Sequence, residues 1–596
     1  MKTDPATENN KNNCQKDALL KLVQTIFTLS KQRRTAFLSA CLMFVITLFF
    51  LMPLDLYLNN FIEFHIGFID VVFPLLAVCL CIFLSAVFLL PLIFRGTALD
   101  IVTLLLCGAT VAFYVQILFL NGEMMELTGD NMDYDMGVVT SIKRMVFFIM
   151  VFVPLCVWKG LRDSHKYKNV KWETGMLCVA VVILGMQIAG TVAAIPGYDF
   201  GSAGGPDYLS YDKALQLSSK KNICVFIADT LDVKIMNEAL EKYPELHEQL
   251  DGFTFYSNNV STNLGTFPSV VRMLTGVKVD DNYTSLAWMD IAWAGRNIFD
   301  ILGENGYYTT LLLTKNYIFG NYRNLYGRAA NLAKLKEPGM IIKHRQIVKT
   351  TLGISFGRAV PYFFKGMFLG HFDAGFSNDF FEFLDADVSP KATNKQADLN
   401  FYDRLITTGL HTQDEQKTFA ITHLNCAHNE GYRYNPDSDT VELYGGDILD
   451  STRGCFAIIN EYFRQMKKLD IYDDSTIMII ADHGSWKNIL STHFSELAGE
   501  ITAALLIKPE NARGNLQRDT KSELSHVNFR SSILQIAGLP REEFGLSYFD
   551  IIDGQLPQKR MFSFWVGRFG SNNGIYEITG DANDFSNWIF VPGGDN

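Results

Sequence analysis

The sequence predicts a chain in two parts, a bundle of five membrane-spanning helices followed by a doubly wound α/β domain. Five long apolar runs lie within the first 200 residues. From about residue 221, short apolar strands alternate with amphipathic helices, a pattern typical of a parallel sheet with helices on both faces. The predicted parts are a cytoplasmic segment, a transmembrane domain, a linker and an extracytoplasmic domain, at 1–35, 36–195, 196–220 and 221–596.

The apolar runs have about the length that a helix needs to cross roughly 30 Å of hydrocarbon. They lie near 36–56, 69–94, 99–120, 145–158 and 175–195, and the fourth is short. Lysines and arginines follow the second and fourth runs, whereas 121–135 carries acidic residues and no basic one. Because basic loops stay in the cytosol, we expect a multi-pass protein of the cytoplasmic membrane with everything after residue 196 outside.

The net charge bears on the class of partner, and the cysteine content bears on whether disulfides are expected. The formal net charge of −11 argues against nucleic acid as a partner. Only three of the ten cysteines, Cys224, Cys426 and Cys455, lie after residue 200. They are interpreted as small core residues, because this number and spacing do not indicate a disulfide framework. The sequence does not set an oligomeric state.

The α/β domain is predicted element by element from its apolar runs. Strands are expected at 222–228, 253–257, 308–314, 418–424, 476–481 and 502–507. Helices are expected at 268–275, 296–305, 447–468 and 526–537. An insert at 340–395 fits neither pattern, and its aromatic run leaves two interpretations open. It either lies on the membrane surface or packs into the α/β domain.

A loop that runs into a helix, Asn259–Gly276, contains the first candidate for chemistry. Pro268 suits a helix entry, so Thr266 is expected just ahead of a helix N-terminus. Free N–H groups and the helix dipole favour an anion there, and a hydroxyl could attack a phosphoryl or sulfuryl centre. The alternative is that Thr266 only caps the helix.

Two predicted strands end in potential metal ligands. The strand at 222–228 is followed by Asp229, and the strand at 476–481 is followed by Asp482 and His483. Ligands bind beyond the carboxyl ends of strands in open α/β sheets. Asp229, Asp482, His483 and the Thr266 hydroxyl would together hold one divalent metal ion, with Mn²⁺ or Mg²⁺ favoured over Zn²⁺.

Taken together, these three motifs resemble the alkaline phosphatase/sulfatase superfamily, in particular the membrane-anchored branch with lipoteichoic acid synthases and phosphoethanolamine transferases. The resemblance implies a sulfatase-like domain in which Thr266 is the nucleophile and forms a covalent intermediate. Formylglycine sulfatases need a Cys or Ser at this position and an Arg four residues later, where this chain has Thr266 and Val270. Sulfate hydrolysis by that route is therefore not expected. Thr230, next to Asp229, supplies no second carboxylate, which favours a single metal.

The resemblance also suggests substrate-binding residues. His428 matches a substrate-binding histidine of the family, and His423 is the alternative match. Arg323 and Lys487 fall near basic or polar positions of the family. Two further possible ligands are His493 and Glu500.

The expected function is transfer of a phosphorylated headgroup from a membrane lipid donor to a glycan acceptor of the cell envelope. Five membrane spans are more than an extracellular hydrolase needs, whereas a lipid donor has to be met at the bilayer surface. Two alternatives stay open, a hydrolase of phosphate or sulfate esters and a catalytically silent lipid-binding or sensor protein of the same fold.

Overall fold

The structure is a computed structural model. It describes residues 29–121, 138–163, 171–195, 207–280, 283, 285–313, 318–335, 339–369, 379–384, 394–428, 431–443, 446–485, 500–557, 559–563 and 574–592. Two units are distinguished by their internal contacts. The first comprises Met1–Pro206 and Leu335–Leu384, and the second comprises Asp207–Lys334 and Asp385–Asn596.

Five helices in the first unit are long and apolar enough to cross a membrane. They span Lys31–Asn59, Phe68–Ile93, Thr97–Leu120, Ser141–Asp163 and Trp172–Ala194. Two polar pairs join these helices, as is favourable in lipid surroundings. Arg33 Nε lies 2.7 Å from Asp100 Oδ1, and the Thr47 hydroxyl donates to Gln187 Oε1 at 3.0 Å. The prediction of five apolar helices is confirmed, and the short fourth run is part of a full-length helix.

The insert belongs to this first unit. Its helices, His344–Ala359 and Tyr362–Leu369, are flanked by the paired strands Met340–Ile342 and Phe381–Phe383. They pack against the apolar helices through polar and aromatic contacts. Lys365 Nζ donates to Asn121 Oδ1 at 3.0 Å, and the rings of Phe356 and Phe49 are 5.3 Å apart. The predicted single domain at 221–596 therefore differs from the structure, in which Leu335–Leu384 belongs to the first unit. Of the two interpretations left open for the insert, packing into the α/β domain is not the one observed.

The second unit is organised around a sheet that has seven strands in the described residues. In chain order they are β1 (Asn222–Ala228), β2 (Thr254–Tyr256), β3 (Tyr307–Leu312), β4 (Lys417–Leu424), β5 (Ser475–Ala481), β6 (Leu505–Lys508) and β7 (Gln517–Asp519). Their order across the sheet is β7-β2-β6-β5-β1-β4-β3. Strands β5, β1, β4 and β3 are parallel, and β6 is antiparallel to both of its neighbours.

Helices cover both faces of this sheet. The main ones are α1 (Val233–Lys242), α2 (Thr266–Thr275), α3 (Ile298–Glu304), α4 (Asn394–Thr407), α5 (Ile448–Lys468) and α6 (Phe529–Ala537). In β1, Cys224 and Phe226 pack in the core with α1 and α5, while Val225 and Ile227 pack on the opposite face with α2, α3 and α6. Burial on both faces explains the uninterrupted apolar run of this strand. The predicted doubly wound α/β fold is confirmed.

Smaller elements complete the second unit. A three-stranded antiparallel sheet is formed by Arg560–Ser563, Ile575–Ile578 and Trp588–Val591. Short strand pairs are Asp207–Leu209 with Leu332–Lys334, Gln216–Ser218 with His411–Gln413, Tyr432–Asn435 with Thr440–Leu443, and Asn259–Val260 with Leu524–Ser525. Short helices are Tyr211–Ala214, Glu245–Gln249, Ser285–Ala294 and Tyr548–Ile552. Residues 207–220, predicted as the end of the linker, therefore belong to the folded domain, and 196–206 lie outside the described residues.

Candidate active site

The parallel register of the central strands brings the two predicted aspartates together. Ala228 at the end of β1 pairs with Ala481 at the end of β5. Asp229 and Asp482 are the next residues of the two strands, so they leave the same edge of the sheet side by side. Both are almost completely buried, with 1% and 0% of their surfaces exposed. This is the strand-end position at which open α/β sheets bind ligands.

The N-terminus of α2 places Thr266 beside this pair. The helix begins at Thr266 itself, two residues earlier than predicted, and Gly265 before it has φ +153°, a conformation that favours glycine. The Ser269 hydroxyl donates to the carbonyl of Asp482 at 2.5 Å, which ties the first turn of α2 to the end of β5. Thr266 Oγ1 lies 3.3 Å from His483 Nε2. A hydroxyl, an imidazole and a helix N-terminus therefore meet at one point.

Short distances connect the remaining members of the cluster. His483 Nε2 lies 3.4 Å from Asp482 Oδ2 and 3.8 Å from Asp229 Oδ1. His423, near the end of β4, has its Nε2 atom 3.7 Å from Asp229 Oδ2 and 4.0 Å from Asp482 Oδ2. Ligand atoms of Asp229, His423 and Asp482 all lie within 4.8 Å of one another. The sequence analysis assigned His423 only an alternative substrate role, whereas its position is that of a potential metal ligand.

The chemistry of this cluster fits a divalent cation. Asp229 Oδ2 and Asp482 Oδ2 are buried and accept no hydrogen bond from the part of the chain that is described. Two carboxylates within 4.8 Å of each other repel by on the order of 3 kcal/mol at an effective dielectric constant of about 20. A metal ion between them would remove this repulsion. Two oxygen ligands with one or two imidazoles form a common donor set for such ions.

The electrostatic surroundings of the two aspartates differ. Burial and the neighbouring charge of Asp482 raise the pKa of Asp229. Burial also acts to raise the pKa of Asp482, but the charges of His483 and His423 and the backbone N–H of Thr230 outweigh it and hold that pKa below its usual range. The pair is thus asymmetric, with Asp482 the better-stabilised anion.

Backbone contacts fix the orientation of His483. Its Nδ1 atom lies 2.6 Å from the carbonyl oxygen of Gly484, so Nδ1 donates its proton to that carbonyl and Nε2 faces Thr266 and the carboxylates. Gly484 allows a close backbone approach, because an added Cβ would lie 2.4 Å from the carbonyl oxygen of Glu500. The Asp482-His483-Gly484 turn therefore sets the direction of the imidazole.

The predicted substrate residues are only partly brought to the cluster. His428 is half-buried and close enough for its charge to act on Asp229. Arg323 is exposed in a short 3-10 turn, where its Nε donates to Asn321 Oδ1 at 3.4 Å, and none of its described contacts is with the cluster. Glu500 pairs with Lys234 at 2.7 Å. Lys487 and His493 lie outside the described residues.

Two supporting residues escaped the sequence analysis. Asp398 of α4 accepts hydrogen bonds from the backbone N–H of Asn425 at 2.8 Å and from the Tyr432 hydroxyl at 2.7 Å, which holds the turn that precedes His428. Burial, opposed by these hydrogen bonds, raises the pKa of Asp398 to about 6. His526 lies 3.3 Å from the Ser269 hydroxyl beneath α2, and burial lowers its pKa to about 4. Asp398 lies in α4, a helix that the sequence analysis did not predict, so no sequence signal pointed to it.

Comparison with known protein families identifies the family to which this chain belongs. A family model described as sulfatase matches residues 221–539, more than half of the chain. The chain therefore belongs to the sulfatase family, and the resemblance to the alkaline phosphatase/sulfatase superfamily is confirmed. No curated protein matches the sequence.

Several solved structures are similar to the chain at low identity. The lipoteichoic acid synthase LtaP of Listeria monocytogenes has 14% identity and a TM-score of 0.35, over 63% of this chain and 85% of its own. The C-terminal periplasmic domain of EcEptC from Escherichia coli has 10% identity and a TM-score of 0.36, over 63% and 95%. An alkaline phosphatase superfamily protein from Vibrio parahaemolyticus has 12% identity and a TM-score of 0.36, over 64% and 84%.

Proposed function

We propose that this membrane protein is a metal-dependent phosphotransferase that moves a phosphorylated headgroup from a lipid donor to a cell-envelope glycan through a covalent bond to Thr266. The observation that carries the proposal is the position of the Thr266 hydroxyl. It lies 3.3 Å from His483 Nε2, at the N-terminus of α2 and beside two buried carboxylates. A Thr that only capped the helix would not require an imidazole and a carboxylate pair at the same point.

The proposed reaction has two balanced steps. In the first, Thr266 Oγ attacks the phosphorus atom of the lipid phosphodiester, the bond from phosphorus to the lipid alcohol breaks, and that alcohol leaves with the proton that Thr266 gave up. In the second, a glycan hydroxyl attacks the same phosphorus atom and restores the Thr266 hydroxyl. The N-terminal N–H groups of α2 are oriented to stabilise the phosphoryl oxygens, and His428 at the rim is retained as a contact to the substrate.

Asp229, Asp482, His483, His423 and the Thr266 hydroxyl are the residues that would hold the metal. A bound divalent ion lowers the pKa of a hydroxyl and neutralises phosphoryl oxygens. Two imidazoles next to two carboxylates fit Mn²⁺ or Zn²⁺ better than Mg²⁺, which prefers oxygen ligands and water. The proposal therefore adds His423 to the predicted ligands. Of the predicted ions Mn²⁺ and Mg²⁺ it keeps Mn²⁺, with Zn²⁺ as the alternative.

The sulfatase family name does not extend to formylglycine chemistry in this chain. Thr266 has a secondary alcohol, which cannot be oxidised to the aldehyde that those sulfatases use. Val270 stands where their motif has an arginine. Hydrolysis of a phosphate ester through the same Thr266 intermediate is the second candidate, and the family match supports it equally.

Two features favour a lipid donor and a site outside the cytosol. The five apolar helices hold the protein in the membrane, which raises the effective concentration of a lipid substrate. The basic residues Lys159, Arg162, Lys166, Lys168 and Lys171 follow the fourth span, and such clusters mark the cytoplasmic side. The α/β domain, which follows the fifth span, is then on the outer side of the cytoplasmic membrane.

Transfer and hydrolysis are distinguished by the fate of a labelled headgroup. Purified full-length protein with Mn²⁺ is incubated with a lipid whose phosphodiester headgroup is labelled, with and without envelope glycan. We expect label to move to the glycan, because an acceptor bound at the site outcompetes water. Release of free headgroup alone, at a rate that glycan does not change, would favour the hydrolase and contradict the transferase.

A further inference from the structure

Thr230, the residue after Asp229, connects both carboxylates of the candidate metal site. Its backbone N–H donates to Asp482 Oδ1 at 2.9 Å, and its hydroxyl donates to Asp229 Oδ1 at 2.8 Å. The side chain is 2% exposed, so water does not compete for these donors. One residue thus supplies a hydrogen bond to each aspartate.

The same two contacts determine which oxygens remain for a metal. Thr230 contacts Oδ1 of both residues, and the backbone N–H of His483 also donates to Asp482 Oδ1, at 2.8 Å. Asp229 Oδ2 and Asp482 Oδ2, the second oxygens of the two carboxylates, are buried and accept no hydrogen bond in the described chain. Both of these atoms lie near His423 Nε2, at 3.7 and 4.0 Å. Hydrogen bonds to the outer oxygen of a ligating carboxylate fix its rotation and direct the other oxygen towards the metal.

The backbone of Thr230 adopts a conformation that is costly for its side-chain type. Its φ is +59°, in the left-handed region that β-branched residues rarely occupy. Such strain persists where the surrounding structure requires it, commonly at functional sites. A glycine here would relieve the strain but would lose the hydroxyl. The chain therefore keeps a strained residue at a position from which its side-chain hydroxyl reaches Asp229.

The geometry points to Thr230 as a positioning residue that holds Asp229 and Asp482 with their Oδ2 atoms directed at a shared metal. This inference rests on the proposed function, because it concerns the same metal site. Thr230 itself contacts neither metal nor substrate in this assignment, and it acts through the two aspartates. Its hydroxyl sets the rotation of Asp229, and its N–H sets that of Asp482 together with the N–H of His483.

The test compares Mn²⁺ affinity across Thr230 variants of the full-length protein in detergent, measured by titration calorimetry after chelator treatment. Thr230→Val removes the hydroxyl and keeps the branched shape, and its Mn²⁺ Kd should rise about 10- to 100-fold. Thr230→Ser should bind nearly as wild type does. Thr230→Gly should show a similar loss of affinity although it relieves the backbone strain. Thr418→Val is the matched control, and it should bind Mn²⁺ as wild type does. The Thr418 hydroxyl is also buried, but it has no hydrogen-bond partner among the described residues and lies at the end of β4 opposite to His423.

A purely structural role would give a different pattern. It would make Thr230→Gly bind as wild type does, or would leave affinity unchanged in Thr230→Val, and either result overturns the inference. The melting temperature of the metal-free protein is measured in parallel, so that a loss of folded protein is not read as a loss of affinity. A wild-type protein that binds no divalent ion would overturn the proposed function and this inference together. A normal wild-type titration with unchanged Thr230→Val affinity would overturn only the inference.

Discussion

Thr266→Ala is expected to abolish transfer, with a fall in kcat of about 10⁶-fold, the order seen when a catalytic nucleophile is removed. The change removes one hydroxyl at the first residue of α2 and leaves Asp229, Asp482 and both histidines in place. Metal affinity should therefore change much less than turnover. Thr266→Ser should keep partial activity, since it retains a nucleophilic oxygen but loses the methyl group that restricts its rotamer.

The matched control for this variant is on the same helix. Thr275→Ala removes a hydroxyl that donates to the carbonyl of Val271 at 2.8 Å, at the C-terminal end of α2 and away from the cluster. It should lower stability slightly and leave turnover unchanged. Near-normal turnover in Thr266→Ala would mean that a water molecule is the attacking group and that no bond to Thr266 is formed.

Asp229→Asn is expected to have opposite effects on the metal-free and the metal-bound protein. Without metal, the substitution removes one of two like charges buried within 4.8 Å of each other, so the melting temperature should rise or stay the same. With Mn²⁺ at about 100 times the Kd, the wild type gains about 2.7 kcal/mol of stability by mass action. The variant should lose nearly all of that gain, together with its activity, because the neutral amide is a poor ligand.

This pair of melting curves separates a metal ligand from an ordinary buried aspartate. Asp437→Asn serves as the control, because Asp437 is exposed in the hairpin between Tyr432–Asn435 and Thr440–Leu443 and its charge is solvated. It should show the full metal-induced rise in melting temperature. A metal-induced rise in Asp229→Asn as large as in wild type would exclude Asp229 as a ligand.

The central strands and the strand-end aspartates were predictable because their physical cause is local. A strand buried on both faces has to be apolar along its whole length, as Asn222–Ala228 and Ser475–Ala481 are after their first residues. A carboxylate directly after such a run is then conspicuous. The five apolar helices were predictable for a similar reason, since length and hydropathy alone define a candidate span.

The position of His423 was harder to predict. It lies within an apolar run, one residue before the end of β4, and its neighbour in the register is Ile227. Only the pairing of β4 with β1, which joins segments almost 200 residues apart, brings the imidazole to Asp229. Long-range pairing of this kind cannot be recognised in a local window of sequence. His423 was therefore proposed only as an alternative substrate-binding residue and not as a metal ligand.

The environment of the insert at 340–395 could not be predicted, for a different reason. Its helix His344–Ala359 combines Arg358 and other basic residues with Phe356 and several aliphatic residues, a composition that suits either a membrane surface or a domain core. Its partners, among them Asp70 opposite His344 at 3.1 Å, are more than 200 residues earlier in the chain. The Asn121–Lys365 contact is equally remote. Composition could not choose between these environments, whereas the tertiary contacts do.

The most direct test of the central claim is to trap the group on Thr266. Full-length protein with Mn²⁺ is mixed with labelled phosphodiester lipid in the absence of glycan, denatured in acid after short times, digested and analysed by mass spectrometry. The account predicts the headgroup phosphate on the peptide that contains Thr266, its loss when glycan is added before quenching, and no adduct in Thr266→Ala. Steady turnover of the lipid with an unmodified Thr266 peptide at every time point would contradict it.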